Sequence, residues 1–200
     1  MNLHKYPPLF RSTAALCISS LLVFANLYTT QPLLPLFVET FALSELQAAK
    51  SLTLATLMLG LSLLVYGPLS DAIGRKAIMI ASLIASTAIT LALSYTQSFE
   101  QVLWLRAAHG FALGGIPATA IAYIGEEYPR AKIATTVGLY ISFNSLGGIT
   151  GRVMGGVISD WWEWQTVFAC LTACNIATLL LLSWLLPCLL YTSPSPRDRG

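Results

Sequence analysis

Apolar residues in this chain run in six long blocks separated by short polar breaks: Ala14 to Phe37, Leu52 to Leu69, Ala77 to Tyr95, Val102 to Ile124, Ile133 to Ile158, and Thr166 to Leu186. Each block approaches the roughly 20 residues that carry an α-helix across bilayer hydrocarbon. None alternates apolar and polar residues with a period of two, so barrel strands are excluded, and hydrocarbon offers no partner for an open backbone. The pattern predicts an all-α membrane protein of six transmembrane helices forming one bundle over residues 14–187, after a short N-terminal segment 1–13. A signal peptide is a poor alternative for the start. No small-residue cleavage site follows Lys5 and Arg11, and the apolar run continues to Phe37.

Composition agrees with a bilayer. Hydrophobic residues make up 56% of the chain and charged residues 10%, against about 25% charged in a soluble domain. Mean hydropathy is +0.69. The net charge of +2 is small and its basic residues are dispersed, which argues against nucleic acid as a partner. Cys17, Cys170 and Cys174 lie inside apolar blocks, where thiols behave as small hydrophobes. No residue pattern suggests a metal site, a cofactor or an enzyme, because no ligand cluster, P-loop or nucleophile-and-base set occurs.

Basic residues fix an expected orientation. Lys5, Arg11, Arg75, Lys76, Arg130 and Lys132 fall in alternate breaks, while the opposite breaks carry Glu39, Glu45, Glu100, Asp160 and Glu163 with Lys50 as their basic residue. The positive side faces the cytoplasm, which puts both termini there. The third and sixth blocks are almost uniformly apolar and are expected to face lipid. The first, second, fourth and fifth carry Gly, Pro, Gln, Asn, His and Arg, and are expected to face protein or water. A repeat is also visible. Gly67-x-x-Ser70-Asp71 ends the second block and Gly156-x-x-Ser159-Asp160 ends the fifth, with three helices between the copies, as a 3+3 inverted repeat requires.

Gly67-Pro-Leu-Ser-Asp71-Ala-Ile-Gly74-Arg75-Lys76 resembles the loop signature G-x-L-[SA]-D-[RK]-x-G-R-[RK] of the major facilitator superfamily, departing from it at Ala72. Leu105-Arg106-Ala-Ala-His109-Gly110 resembles the fourth-helix motif of that family, with His109 where Gln is often found. Gly147-Gly148-Ile-Thr-Gly151-Arg152-Val-Met-Gly155-Gly156 is similar to its antiporter motif, with Arg152 in place of the Pro. Tyr28-Thr-Thr-Gln31-Pro32-Leu-Leu-Pro35 resembles a segment of YnfM-like bacterial efflux permeases. The resemblance covers nearly all of Ala14 to Leu186. It implies the N-terminal half of a 12-helix transporter whose second six-helix half is missing, working by proton-coupled efflux of a small organic solute in the bacterial inner membrane. The competing reading is a non-transporting membrane sensor or assembly partner built on such a half.

The resemblance also implies site residues. Gly67, Asp71, Gly74, Arg75 and Lys76 would form a conformational latch, with Glu126 and Glu127 as partners for Arg75. Asn26, Tyr28, Gln31, Arg106, His109, Asn144 and Arg152 are candidates for contact with substrate or for lining its cavity. Arg152 is expected to be buried among Gly148, Gly151, Gly155 and Gly156, which share a close-packing stripe. Two prolines and a Gln predict local unwinding of the first helix near the outer face. No Asp or Glu lies well inside a block, so a proton-binding group would be His109, Asp71 or a residue of the second half. From Cys188 the string Leu-Leu-Tyr-Thr-Ser-Pro-Ser-Pro-Arg-Asp198 resembles a translated sequencing adapter, and residues 188–200 are expected to be non-native.

Overall fold

A computed structural model describes residues 9–185. The expected boundary at Pro187, the tail beyond it, and Lys5 lie outside the described residues. Eight α-helices make up the described chain: α1 (Leu9–Tyr28), α2 (Leu34–Phe41), α3 (Glu45–Ile73), α4 (Arg75–Leu93), α5 (Phe99–Leu113), α6 (Gly115–Glu127), α7 (Arg130–Trp161) and α8 (Trp164–Leu185). They form six membrane-length rods, because α2 continues α1 after a break and α6 continues α5.

The breaks follow from proline chemistry. A proline has no N–H to give the carbonyl four residues back, and its ring collides with that carbonyl. Pro32 therefore opposes the carbonyl of Tyr28, where α1 ends. Pro117 opposes that of Leu113, where α5 ends, and Gly114 closes the gap with a tight bond from its N–H to Phe111 O (3.3 Å). The helix starts carry their own signals. Ser44 and Gln47 form a reciprocal capping box at α3, and Ser98 accepts from Gln101 N–H at α5. Between α3 and α4 the chain turns on Gly74 alone, at φ +97°, a conformation that a side chain disfavours.

Five helical stretches are long and apolar enough to cross a membrane, the joined Phe99–Glu127 among them. The remaining rod, α7, has 32 residues but carries the glycine-rich stretch, Arg152 and Asp160. The rods pair in a regular way: α1 chiefly with α7, α3 with α5, and α4 with α8. The first rod of each triple thus packs on the second rod of the other, and the two third rods pack together, as two triples of opposite topology require. The sequence echo has a geometric counterpart. Ser70 Oγ donates to Gly67 O (2.7 Å) and Ser159 Oγ donates to Gly156 O (3.0 Å), the same bond at both copies.

One apolar core gathers Leu16, Val23, Met79, Leu83, Leu113, Ile116 and Tyr123. A second gathers Leu33, Phe37, Leu93, Val102 and Phe168, closed by Trp164, whose ring meets Phe37 edge-on at 5.1 Å. Exposure shows which sides of the helices this bundle itself covers. The rod α3, expected to face protein or water, is covered by its own bundle over only 11% of its spanning window, and Leu57, Leu61, Leu64 and Val65 turn to the side left open. The third and sixth rods, α4 and α8, each turn one apolar side outward but bury Ser86 and Thr90 against Thr172 and Asn175, while Ser82 of α4 is buried on α5, donating to Ala112 O. A uniform apolar block hid the polar side of α8, because Asn175 is one residue among many leucines.

Candidate functional site

Between the two apolar cores lies a connected polar network drawn from α1, α4, α5 and α8. Its centre is Arg106 on α5, with no solvent exposure. The end of α1 explains that position. Breaking a helix leaves its last carbonyls without intrahelical donors, and those of Asn26 and Leu27 would be orphaned here. Arg106 fills both, with Nη1 donating to Asn26 O (3.1 Å) and Nη2 to Leu27 O (2.8 Å). Its positive charge also sits at the negative end of the α1 dipole. Arg106 therefore caps a broken helix from a neighbouring one.

The same guanidinium approaches His109 Nδ1 at 2.8 Å. Arginine only donates, so Nδ1 accepts and the imidazole proton resides on Nε2, which lies 3.0 Å from Ser86 Oγ. A second proton on the ring would set two donors against each other at Nδ1. The network continues through Asn175, whose Nδ2 reaches Thr90 Oγ1 at 3.2 Å while its Oδ1 accepts from Asn26 Nδ2 at 2.9 Å. Thr172 Oγ1 donates to Thr90 Oγ1 (3.1 Å). Asn26, Arg106 and His109 were expected to line a cavity. They are wholly buried instead, engaged with one another and with backbone. Asn175, Ser86, Thr90 and Thr172 join them without having been singled out; an Asn inside an apolar span was the signal available in the sequence.

The glycines of α7 show where its closest approach lies. A Cβ on Gly147 would stand 2.2 Å from Leu21 O, on Gly151 2.3 Å from Ala25 O, and on Gly155 2.6 Å from Thr29 O. The stripe against α1 is therefore Gly147, Gly151 and Gly155, spaced by four. This corrects the expected set. Gly148 and Gly156 lie beside the stripe: a Cβ on Gly156 meets only Pro32 Cβ, at 3.8 Å, and on Gly148 it meets Arg152 Nη1 and Tyr28 at 3.3 Å. On the other side of the bundle Gly110 fills the same role against Ala55 of α3, at 1.9 Å.

Arg152 is accordingly exposed rather than buried. Its Nε donates to Gln31 Oε1 (2.6 Å) and Nη1 to Gly148 O (3.0 Å), while its guanidinium carbon lies 4.3 Å from the centre of the Tyr28 ring. Tyr28 stacks on Phe24. Asn144, one further turn along α7, bonds to Ser20 of α1. Tyr28, Gln31, Asn144 and Arg152 thus share the α1–α7 seam on a side of the bundle that the other described helices leave uncovered. An unpaired arginine inside a membrane span costs about 2.5–3.5 kcal/mol on insertion scales, so this face calls for a counter-charge or for water.

At the α3–α4 turn Arg75 joins Asp71 (2.5 Å) and Glu126 of α6 (2.8 Å). It also donates to Ser70. These are the ion pairs found among the described residues, and Glu127 is not in them. Lys76 reaches Ser183 O at 3.4 Å. The turn at Gly74 brings Arg75 back over the end of α3, so both carboxylates fall within its reach.

The Major Facilitator Superfamily profile matches residues 16–200. The chain belongs to the major facilitator superfamily. Among curated relatives of this superfamily member, the inner membrane transport protein YnfM of Escherichia coli is 38% identical over 181 residues, covering 90% of this chain and 43% of that protein. The uncharacterized transporter YybF of Bacillus subtilis is 38% identical over 164 residues, covering 82% and 41%. The chain thus spans less than half the length of the relatives it matches. Solved structures agree on the fold. A bacterial homologue of the human lysosomal transporter Spinster, inward-facing and occupied, superposes with a TM-score of 0.78 at 20% identity, over 92% of this chain and 45% of that one. A D-xylose–proton symporter superposes with a TM-score of 0.75 at 17% identity, over 95% and 49%. The bundle is half of a major facilitator fold.

Proposed function

We propose that the chain forms the first bundle of a secondary active transporter that exports a small organic solute across the bacterial inner membrane in exchange for protons. The observation that carries this reading is the pairing of a polar-cored bundle with an uncovered face bearing Tyr28, Gln31 and Arg152. A second bundle facing that side would enclose a path between the halves, open to one side of the membrane at a time. The names of relatives support efflux: one is the multidrug resistance protein MdtG of Proteus mirabilis, 29% identical over 161 residues. The distribution of basic residues among the breaks supports a topology with both termini in the cytoplasm.

In this reading Gly67, Asp71, Gly74, Arg75, Lys76 and Glu126 form the latch. Arg75 is held on its own bundle by Asp71 and Glu126, and a helix of the second bundle competes for Asp71 as the access state changes. Protons bind at Asp71 on the rim or at a residue of the second bundle, because both nitrogens of His109 are engaged inside the core. The test is flux in proteoliposomes holding the full-length protein. A pH gradient should drive solute uphill in the opposite sense to protons. Absence of flux for every solute tried, with the protein folded and correctly inserted, would overturn the transport reading; flux indifferent to the gradient would overturn proton coupling.

A further inference from the structure

Arg152 is an arginine within a membrane span whose partners leave it incompletely used. A guanidinium has five N–H donors. Two are taken, by Gln31 Oε1 and Gly148 O, so three remain, one on Nη1 and two on Nη2. The outer edge of the fork is therefore free. That edge presents parallel N–H bonds, the geometry that a carboxylate accepts bidentately. No Asp or Glu of the described residues forms an ion pair with Arg152, since the pairs found both belong to Arg75.

Its surroundings hold the fork still and leave space beside it. The Tyr28 ring packs against one side of the guanidinium, the Gln31 amide holds Nε, and the Gly148 carbonyl holds Nη1. Gly148 and Gly156 flank Arg152 one turn to either side on the same face of α7. Gly148 has no side chain to collide with the guanidinium or Tyr28, and Gly156 faces open space that packing with α1 does not require. Leu146, Val153 and Val157 turn to the other side of the helix and are exposed there. With α7 ending at Trp161, Arg152 lies nine residues, or roughly 14 Å, inside the helix end.

We propose that Arg152, oriented by Tyr28, Gln31 and the Gly148 carbonyl, is a carboxylate-binding residue on the inner face of the bundle. The inference rests on the transporter reading only in taking that face to be enclosed by a second bundle. The carboxylate belongs either to a small organic acid carried along the path or to an acidic side chain of the second bundle. The Tyr28 ring beside the guanidinium, with Phe24 stacked on it, suits a carboxylate on a partly apolar or aromatic body.

The experiment uses the full-length protein in detergent and in proteoliposomes, with acetate, benzoate, succinate and citrate as probes and acetamide and benzamide as neutral counterparts. If a solute supplies the carboxylate, at least one acid raises the melting temperature saturably while the amides do not. Arg152→Gln then weakens that acid at least tenfold, with Arg152→Lys intermediate, and both variants keep the unliganded melting temperature. If the second bundle supplies it, no acid shifts the wild type, Arg152→Gln lowers the melting temperature, and changing one acidic residue of the second bundle to its amide abolishes that loss. Arg152→Gln that alters neither acid affinity nor melting temperature overturns the proposal. Arg152-dependent acid binding without flux of any solute keeps the proposal and overturns the transport reading, so the two failures are distinct.

Discussion

Replacing Arg106 by Ala tests whether this residue works as a helix cap or as a contact for substrate. In the structure the guanidinium gives Asn26 O and Leu27 O their donors and supplies the partner for His109 Nδ1, all without solvent exposure. Alanine leaves three buried acceptors unsatisfied. Each costs about 1–3 kcal/mol, and because water can enter the space vacated by so long a side chain the lower part of the summed range applies, about 3–5 kcal/mol. The local signature is as informative as the total. The amides of Thr29, Gln31 and Leu33 are bonded within the break that Arg106 steadies, so their hydrogen exchange should speed up before that of α4 or α8. Thermal unfolding in detergent and peptide-level exchange measure the two effects. A residue used only for substrate would lose affinity on substitution yet leave both unchanged; unaltered unfolding and exchange in Arg106→Ala would refute the capping argument.

Two further outcomes follow from packing and from paired amides. Gly147→Ala and Gly151→Ala each drive a methyl group into the backbone of α1 and should lower stability by about 1–3 kcal/mol, whereas Gly156→Ala, whose Cβ meets one atom at 3.8 Å, should be close to neutral in the same unfolding assay. Asn175→Leu alone should destabilise by about 1–3 kcal/mol, since it leaves Asn26 buried without its side-chain partner; Asn26→Leu added to it should recover part of that loss, read as a coupling free energy in a double-mutant cycle.

Much of the fold is legible in the linear sequence because a bilayer imposes few solutions. Apolar runs of spanning length fix the number of rods, Pro32 marks the break in the first, and the recurring Gly-x-x-Ser-Asp marks the two triples, whereas the break at Pro117 was not expected and Pro68 lies within the continuous α3. The family signature at Gly67 to Lys76 likewise stands out by its residues, although it is the turn at Gly74 between α3 and α4, not helical spacing, that brings Arg75 onto Asp71. Sequence periodicity could also show that Arg106 and His109 share a face. What it could not show was which way that face pointed.

Only the packing of α1 against α5 and α7 decided the roles of the two arginines. Both occur in apolar, glycine-bearing helices, and local sequence gives them equal claims to be buried. Arg106 is buried because the break in α1 places two unsatisfied carbonyls opposite it; Arg152 is exposed because Gly147, Gly151 and Gly155, one position out of step with it, take the seam. Likewise Asn175 became part of the core only when α8 met Asn26 of α1 and Thr90 of α4, residues distant in the chain. The bilayer requirement for internally bonded backbone is local and so is written in the sequence. The partner of a buried polar group is set by which helix happens to face it, and that exists only once the bundle has packed.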